Sequence, residues 1–491
     1  LNDREKVLRR CLSVLFLGEL MKNWSSKRFI GPVLNDCSGN PAVRIARKKF
    51  DGKAKSRLKP CRRRMVAEGK YTERKRGTFL QLNRASQEAG WREDVISPLM
   101  PTYARIPVAF ERGEGMYLYD TDGKKYLDFY SGIGVMCLGH SHPTLVKAIQ
   151  DQAAKLWHTA NTYEIPLGTK LAQRLCDASF ADTMFFTNSG AEAIECAIKM
   201  VRKYHYDKGN AGKYRLVTMS NAFHGRTLAG IAAAGQEKLT KGFEPLPDGF
   251  DVVPFGDIEA VKAAIGPETG GIMVEPVQGE GGIRPLSKDQ MQALRDLCDE
   301  NGLLLVLDEI QCGMGRTGKL FAHEWSEVKP DIVTAAKGIG GGFPLGACLA
   351  TEEAASGMTV GTHGSTYGGN PLAMAVGNAV LDEMLAPGFL ERVRDMGDKL
   401  QARLGALQQR HGDFISEVRG MGLMAGIRLP EVPTRNAVVD MIGRGMLPAV
   451  AGDMVMRMLP PLIIEDEHLD EAMDNLDAAM NDWRKNGIPG K

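Results

Sequence analysis

Lys337 is the candidate for covalent chemistry in this 491-residue sequence. It follows the run Ile332–Ala335, which predicts a short strand, and precedes the glycine-rich stretch 338–342. Glycines end a strand and let a planar ligand approach the backbone closely. Burial lowers the pKa of a lysine and exposes the lone pair that forms an imine. Because most lysines beside glycines are solvated loop residues, the assignment depends on other parts of the chain.

Asp308 is a second candidate, at the end of the apolar run 303–307. This run predicts a buried strand, and ligands of α/β proteins bind at the carboxyl ends of such strands. A semi-buried aspartate needs a partner, which can be a metal ion or a protonated ring nitrogen. A magnesium site would normally accompany a GxxxxGK[ST] loop. The sequence has no such loop, so we expect no metal.

The stretch Thr187-Asn-Ser-Gly-Ala-Glu-Ala193 predicts the end of a strand and the start of a helix. Free backbone N–H groups at a helix N-terminus bind phosphate, and Gly190 and Ala191 would allow it to approach closely. Ser189 could equally be a plain helix N-cap. This stretch alone therefore leaves both interpretations open.

Two further stretches offer groups suited to a ring and a carboxylate. Asn221-Ala-Phe-His-Gly-Arg-Thr227 contains the flat ring of Phe223 and the carboxylate-binding Arg226, and 363–370 is a loop of hydroxyls and glycines. Singly, Phe223 would more often be a core residue. Combined with the lysine, the aspartate and the phosphate site, these groups predict binding of a phosphorylated, protonatable heteroaromatic aldehyde, pyridoxal 5'-phosphate.

Strands that would position these groups are predicted within residues 156–370. Short apolar runs followed by glycines or charges are typical of buried parallel strands. Such runs occur at 183–187, 215–219, 271–274, 303–307 and 332–335. They predict a large, mostly parallel α/β domain over residues 156–370.

A smaller α+β domain is predicted from the two flanking segments. Residues 96–155 contain an expected hairpin at 117–129 and a helix at 144–155. Residues 371–491 begin with an expected interface helix of small residues and continue with helical leucine spacing. They then contain expected strands at 422–429 and 455–464 and end in an amphipathic helix. We expect the two segments to form one domain that is discontinuous in sequence.

The first 95 residues differ from the rest in charge. They carry 24 Lys and Arg against 10 Asp and Glu, although the whole chain has a net charge of only +2. A basic segment with few aromatics is more typical of a solvated extension than of nucleic-acid recognition. We expect a disordered leader or a stretch that is not normally translated, and no nucleic-acid partner.

Composition favours a cytoplasmic protein. No apolar run approaches the roughly 18 residues of a membrane span. The nine cysteines show no CxxC pair, which is more typical of reduced thiols than of a disulfide framework or a zinc site.

From about residue 98 to about residue 483, the sequence resembles the class-III, fold-type-I pyridoxal-phosphate aminotransferases, and most closely their acetylornithine group. The resemblance implies a large, mostly parallel α/β domain with a smaller α+β domain, and a role in arginine biosynthesis. It is carried by five motifs that match nearly residue for residue: Phe186-Thr-Asn-Ser-Gly-Ala-Glu-Ala193, Ala222-Phe-His-Gly-Arg-Thr227, Val274-Glu-Pro-Val-Gln-Gly-Glu-Gly281, Leu307-Asp-Glu-Ile-Gln-Cys-Gly-Met-Gly-Arg316 and His363-Gly-Ser-Thr-Tyr-Gly-Gly-Asn370.

The resemblance implies roles in cofactor binding. Lys337 would bind the cofactor and move the proton of the donor carbon, and Asp308 would pair with the ring nitrogen. Gln311 would lie beside the phenolic oxygen, and Phe223 would stack on the ring. The implied cofactor-binding residues are Gly190, Ala191, Phe223, Asp308, Glu309, Ile310, Gln311, Lys337 and Thr366.

The resemblance also implies a homodimer with shared active sites. Thr366 would reach the phosphate of the second subunit, and Ser365 would contribute to the substrate site across the interface. Arg226 would bind the α-carboxylate of the substrate. Arg457 corresponds to the arginine that binds 2-oxoglutarate, and Glu280 to the glutamate that pairs with this arginine while the amino donor is bound.

Several positions favour the acetylornithine group. Ornithine aminotransferases usually carry tyrosine where Ile133 stands, and 4-aminobutyrate aminotransferases glycine where Ser365 stands. Residues 132–135 and 156–159 also resemble the acetylornithine group, although Met136 replaces a common asparagine. The expected substrates are N2-acetylornithine and 2-oxoglutarate, and the alternative donors are ornithine, N-succinyl-diaminopimelate and 4-aminobutyrate.

A binding or regulatory protein is the alternative from another class. Such a remnant of a cofactor fold, joined to a basic nucleic-acid arm, would lack at least one catalytic group. Here the full set is present: Lys337, Asp308, Arg226 and Arg457. We therefore expect a transaminase with ping-pong kinetics.

Overall fold

A seven-stranded sheet lies at the centre of the structure, a computed structural model that describes residues 98–490. Its strand order is Thr183–Thr187, Gly346–Ala350, Ile332–Ala335, Leu304–Asp308, Thr269–Val274, Arg215–Met219 and Phe250–Val253. All neighbouring strands are parallel except that Gly346–Ala350 runs antiparallel to both of its neighbours. The leader 1–95 and the expectations for it lie outside the described residues.

Four inner strands of this sheet, from Gly346–Ala350 to Thr269–Val274, are buried along their whole length, which explains their largely apolar sequences. Helices cover the sheet and connect its parallel strands. The α-helices of the described residues span Ser131–Gly134, Pro143–Ala153, Pro166–Asp177, Gly190–Asp207, Leu228–Ala234, Glu237–Thr240, Ile258–Ala264, Lys288–Asn301, Glu352–Ala355, Pro371–Met384, Phe389–Arg410, Thr434–Gly443 and Asp466–Asn486. Each of these helices is too short or too polar to cross a membrane.

Three smaller sheets lie outside the large one. The first contains Phe110–Glu114, Tyr117–Asp120, Lys125–Asp128 and Met446–Leu447. The second contains Glu417–Met421, Met424–Arg428, Val455–Met458 and Ala449–Ala451, and the third pairs Val277–Gln278 with Arg284–Pro285. The first sheet joins residues 125–128 to residues 446–447, a contact expected of a discontinuous small domain. Because the chain from Tyr103 onward forms one compact unit, the division at residues 155 and 370 stays a prediction.

Most of the predicted elements are confirmed. The strands 183–187, 215–219 and 332–335, the hairpin and the helix that starts at Pro371 occur as expected. The expected strand 455–464 was too long: it ends at Met458. Pro460 and Pro461, which follow, have no N–H group to donate to a neighbouring strand.

Candidate active site

The side chain of Lys337 is half-buried at the end of the strand Ile332–Ala335. Its backbone has a φ of 51°, so the chain turns sharply into the glycines that follow. Burial and the nearby positive charge of Arg457 lower the pKa of the lysine to about 8, although Glu280, Asp308 and Glu275 oppose this shift. Within residues 98–490 its amine forms no hydrogen bond or ion pair. It is therefore available to react.

Asp308 ends the strand Leu304–Asp308 and is only 3% exposed. Its Oδ2 atom lies 2.8 Å from Nδ1 of His224, which is fully buried. Its Oδ1 atom accepts hydrogen bonds from the Thr334 hydroxyl at 3.2 Å and from the Ile310 backbone N–H at 3.1 Å. These partners fix the orientation of the carboxylate.

His224 interacts electrostatically with Asp308 and with a second buried carboxylate, Glu275. Burial opposes charging of the imidazole, but the hydrogen bond to Asp308 and the charges of both carboxylates raise the pKa of His224 overall. Its Nε2 atom is buried without a partner among the described residues. Glu275 accepts backbone hydrogen bonds from Phe223 at 3.1 Å and from Gly279 at 3.3 Å. Burial raises the pKa of Glu275, His224 opposes the rise and Asp308 adds to it.

The helix Gly190–Asp207 begins at the predicted phosphate site. Ser189 is its N-cap and accepts a hydrogen bond from the Glu192 backbone N–H at 3.3 Å, so the expected cap is present. The cap leaves room for an anion, because the N–H groups of Gly190 and Ala191 precede Glu192 in the same first turn. A Cβ atom at position 190 would lie 2.7 Å from Cδ1 of Ile310. Glycine therefore keeps this turn open.

Phe223 is half-buried and packs against a small cluster formed by Ile231, Ala234 and Leu239. Arg226 is exposed, and its guanidinium lies 5.5 Å from the centre of the Phe223 ring. An exposed arginine beside a half-buried ring can bind a carboxylate while the ring faces a planar ligand.

Arg457 is only 2% exposed and lies on the strand Val455–Met458. Its Nη1 atom lies 2.5 Å from Glu280 and donates to the Gln311 side chain at 3.0 Å. Its Nε atom is buried without a partner among the described residues. The predicted partners Arg457 and Glu280 are thus in contact.

The predicted loop 363–370 lies beside the predicted phosphate site at the start of the helix Gly190–Asp207 in its own chain. The Asn188 side chain donates to Oγ of Ser365 at 3.2 Å, and the Asn161 side chain donates to the Ser365 carbonyl at 2.9 Å. Thr366 is exposed. Contributions of Ser365 and Thr366 to a second subunit stay predictions.

The structure does not bring the Glu309 carboxylate into this group of residues. It accepts hydrogen bonds from the backbone N–H groups of Ala322 and His323, and Nδ1 of His323 lies 2.7 Å away. The side chain thus serves a neighbouring turn, and its role in cofactor binding stays a prediction. His224 and Glu275 were not assigned from the sequence, although both lie inside the quoted motifs.

These residues fit pyridoxal phosphate. Among residues 98–490 the Lys337 amine has no competing hydrogen-bond or ion-pair partner, and Asp308 is oriented by His224 and Thr334. A phosphate would fit at Gly190, where any side chain would meet Ile310. The site therefore has the features of an enzyme that binds this cofactor through a lysine.

Comparisons with known proteins agree with this class. The family model "Aminotransferase class-III" matches residues 100–480. An acetylornithine aminotransferase of Agrobacterium fabrum is 56% identical over 386 residues, which cover 79% of this chain and 96% of that protein. The chain belongs to the class-III aminotransferase family.

Solved structures of this family share the fold. An N-acetylornithine aminotransferase from Stenotrophomonas maltophilia K279a aligns with a TM-score of 0.69 and 38% identity, over 78% of this chain and 98% of that one. An ornithine aminotransferase from Toxoplasma gondii, described with partial occupancy of pyridoxal phosphate at its active site, aligns with a TM-score of 0.76 and 28% identity, over 84% and 100%. The fold is therefore that of the fold-type-I transferases.

Proposed function

We propose that this protein is an acetylornithine aminotransferase of arginine biosynthesis. It transfers the δ-amino group of N2-acetyl-L-ornithine to 2-oxoglutarate and releases N-acetyl-L-glutamate 5-semialdehyde and L-glutamate. The observation that carries this proposal is the Lys337 amine near the Asp308–His224 pair, unpartnered within the described residues, in a chain 56% identical to a protein of that name.

Pyridoxal phosphate would be held by groups on three segments of the chain, in addition to Lys337. Gly190 and Ala191 would bind the phosphate at the helix N-terminus. Phe223 would pack on one face of the ring, and Asp308 would pair with the ring nitrogen. When bound, the cofactor withdraws electrons from the reacting carbon and carries the amino group from donor to acceptor.

Lys337 carries the proton in both half-reactions. Its pKa of about 8 leaves a substantial fraction in the free amine form near neutral pH, where an ordinary lysine is almost fully protonated. The amine can therefore accept a proton from the donor carbon and donate it to a neighbouring carbon atom.

Arg457 and Glu280 allow one site to distinguish the amino donor from 2-oxoglutarate. While the amino donor is bound, the ion pair masks the guanidinium, since the reacting end of N-acetylornithine carries no carboxylate. When 2-oxoglutarate arrives, its carboxylate replaces Glu280 on Arg457 in a charge-assisted contact. Arg226 binds the donor's α-carboxylate, and Ser365 contributes from the second subunit.

Ile133 favours the acylated donor. An apolar residue there offers no hydrogen bond to the free α-amino group of ornithine. The same residue leaves N-succinyl-diaminopimelate as an alternative donor. Ornithine and 4-aminobutyrate are the remaining alternatives within the family.

We further propose a cytoplasmic homodimer in which Thr366 reaches the phosphate of the partner subunit. Three aromatic side chains near the loop 363–370 support an interface, because Trp157, Tyr163 and Tyr367 are between 63% and 70% exposed. Exposed apolar patches of this kind mark contact surfaces.

The absorption spectrum of the purified protein tests the function. We expect a band near the visible that bleaches when N-acetylornithine is added alone and returns with 2-oxoglutarate. Lys337→Ala should lack the band, whereas Lys170→Ala, which changes an exposed lysine on the helix Pro166–Asp177, should keep it. A band that N-acetylornithine leaves unchanged, but that bleaches with ornithine or 4-aminobutyrate, would overturn the proposed amino donor. If no band appeared even after pyridoxal phosphate was added, the proposal that the protein is an enzyme would be overturned.

A further inference from the structure

The loop that follows the strand Lys125–Asp128 contains the short helical turn Ser131–Gly134, whose backbone is left-handed. Four consecutive residues have positive φ angles, at 51° for Ser131, 60° for Gly132, 71° for Ile133 and 74° for Gly134. Ser131 and Ile133 carry side chains that disfavour this conformation, Ile133 most of all because it is β-branched. Strain of this kind persists where the surrounding structure enforces it, and it is concentrated at functional sites.

A buried aspartate fixes the start of this loop. Asp128 is 1% exposed, and its Oδ1 atom accepts hydrogen bonds from the backbone N–H groups of Tyr130 and Ser131, both at 2.8 Å. Its Oδ2 atom lies 2.7 Å from Nε2 of His140. Both carboxylate oxygens are thus occupied, and the position of Tyr130 is fixed.

The loop also connects the strand of Arg457 to the turn of Lys337. The Phe129 carbonyl accepts from the Leu459 backbone N–H at 2.7 Å, two residues beyond Arg457. At the other end of the loop, the Cys137 thiol donates to the Gly338 carbonyl at 3.1 Å. Tyr130, next to Phe129, is therefore held close to the groups that bind the substrate.

The phenol of Tyr130 lies within range of the charges of the Arg457–Glu280 pair. The side chain is half-buried, and its hydroxyl forms no hydrogen bond within residues 98–490. Burial raises the pKa of Tyr130, the charge of Arg457 opposes the rise, and Glu280 and Asp128 add to it. The hydroxyl thus stays neutral and keeps its proton for donation.

We infer that Tyr130 is a further substrate-positioning residue, whose hydroxyl donates a hydrogen bond to the carboxylate that Arg457 binds. This inference rests on the proposed function, because it assigns the arginine to 2-oxoglutarate. A neutral donor can stay beside Arg457 while Glu280 occupies it, and can then bind the carboxylate that replaces Glu280. The amino donor brings no carboxylate to this place, so Tyr130 acts only in the acceptor half-reaction.

The test uses Tyr130→Phe holoenzyme, which keeps the ring and loses the hydroxyl. A hydrogen bond to a charged group contributes enough that its loss weakens binding by about tenfold or more. We expect the dissociation constant of glutarate, an unreactive dicarboxylate, to rise by about that factor in calorimetry. The KM for 2-oxoglutarate should rise in parallel, while bleaching by N-acetylornithine alone keeps its rate within about twofold.

The matched control is Tyr206→Phe, which removes the hydroxyl of a tyrosine 64% exposed on the helix Gly190–Asp207. It should leave both measurements unchanged. Unchanged glutarate binding in Tyr130→Phe would overturn the inference, and so would equal losses in both half-reactions, which indicate a purely structural role. If the wild-type protein ignores N-acetylornithine, the proposed function fails, whereas glutarate binding still decides the role of Tyr130.

Discussion

Opposing charges act on the amine of Lys337, and their balance predicts how the protein takes up its cofactor. Burial and Arg457 lower the pKa of this amine from 10.5 to about 8. Only the unprotonated amine attacks an aldehyde. The rate at which apoprotein binds pyridoxal phosphate should therefore rise with pH and level off above about pH 8. Stopped-flow absorbance between pH 6.5 and pH 10 measures this rate. A rate that continued to rise towards pH 10.5 would contradict the lowered pKa.

The buried pair of His224 and Asp308 predicts a pH-dependent stability. The pKa of His224 is raised in the folded protein, so its stabilising effect is complete below the unfolded pKa of about 6.5. The effect is lost as the pH rises through the folded pKa. Replacing His224 by Leu leaves a buried carboxylate unpaired and should destabilise the apoprotein by about 3 kcal/mol at pH 6.

Denaturant titrations of the apoprotein between pH 5.5 and pH 9 measure this difference. The destabilisation caused by His224→Leu should shrink as the pH rises. Thr334→Val removes a hydrogen bond to the same Asp308 carboxylate without removing a titrating group. The destabilisation that it causes should therefore not decline as the pH rises. A His224→Leu cost that grew with pH would contradict the raised pKa.

Residue types in the sequence predicted Lys337 and Asp308, but they did not predict the group around them. His224 and Asp308 are 84 positions apart, and a sequence does not show which histidine meets which carboxylate. The same applies to Glu275, which resembles any acidic residue after a strand. The orientation of Glu309 towards Ala322 could have been predicted, because successive side chains of a strand face opposite sides and Glu309 directly follows Asp308.

At the scale of elements, the phosphate turn predicts how a glycine controls cofactor binding. A side chain at position 190 would meet Ile310, whose Cδ1 would lie 2.7 Å from the new Cβ. Gly190→Val should weaken pyridoxal phosphate binding by about tenfold or more, since the phosphate and its N–H donors are forced apart. Fluorescence titration of the apoprotein measures the dissociation constant.

A second substitution and a control sharpen this prediction. Ile310→Ala makes room beside position 190, so the double variant should regain part of the lost affinity. Gly212→Ala is the matched control, because a Cβ there meets nothing within 4 Å. Equal affinity in Gly190→Val and wild type would show that this turn does not bind the phosphate.

Elements were predicted well where a continuous apolar run had to be buried. The runs 183–187, 215–219 and 332–335 occur as strands with the expected bounds. The strand Gly346–Ala350 was not predicted, because its small residues resemble those of loops and helices. Its antiparallel direction is set by the short connection from Ile332–Ala335 through the Lys337 turn, which leaves no room for a crossover helix.

At the scale of the whole molecule, the proposed homodimer links assembly to cofactor binding. One chain has a mass of 53.6 kDa, so light scattering should give about twice this value. Tyr163 is 70% exposed near the loop that carries Thr366. Tyr163→Asp places a charge in the proposed interface and should shift the mass towards that of the single chain. Because Thr366 of the partner subunit would then be missing from each phosphate site, pyridoxal phosphate affinity should fall together with the mass.

The control for this prediction is Tyr206→Asp, which places the same charge on a tyrosine that is 64% exposed elsewhere. It should keep both the dimer mass and the cofactor affinity. A wild-type mass near 53.6 kDa at assay concentrations would contradict the homodimer. If Tyr163→Asp were monomeric but kept its cofactor affinity, the proposed wild-type homodimer would stand, but Thr366 would have no role in the phosphate site. A shared site must lose a ligand when its subunits separate.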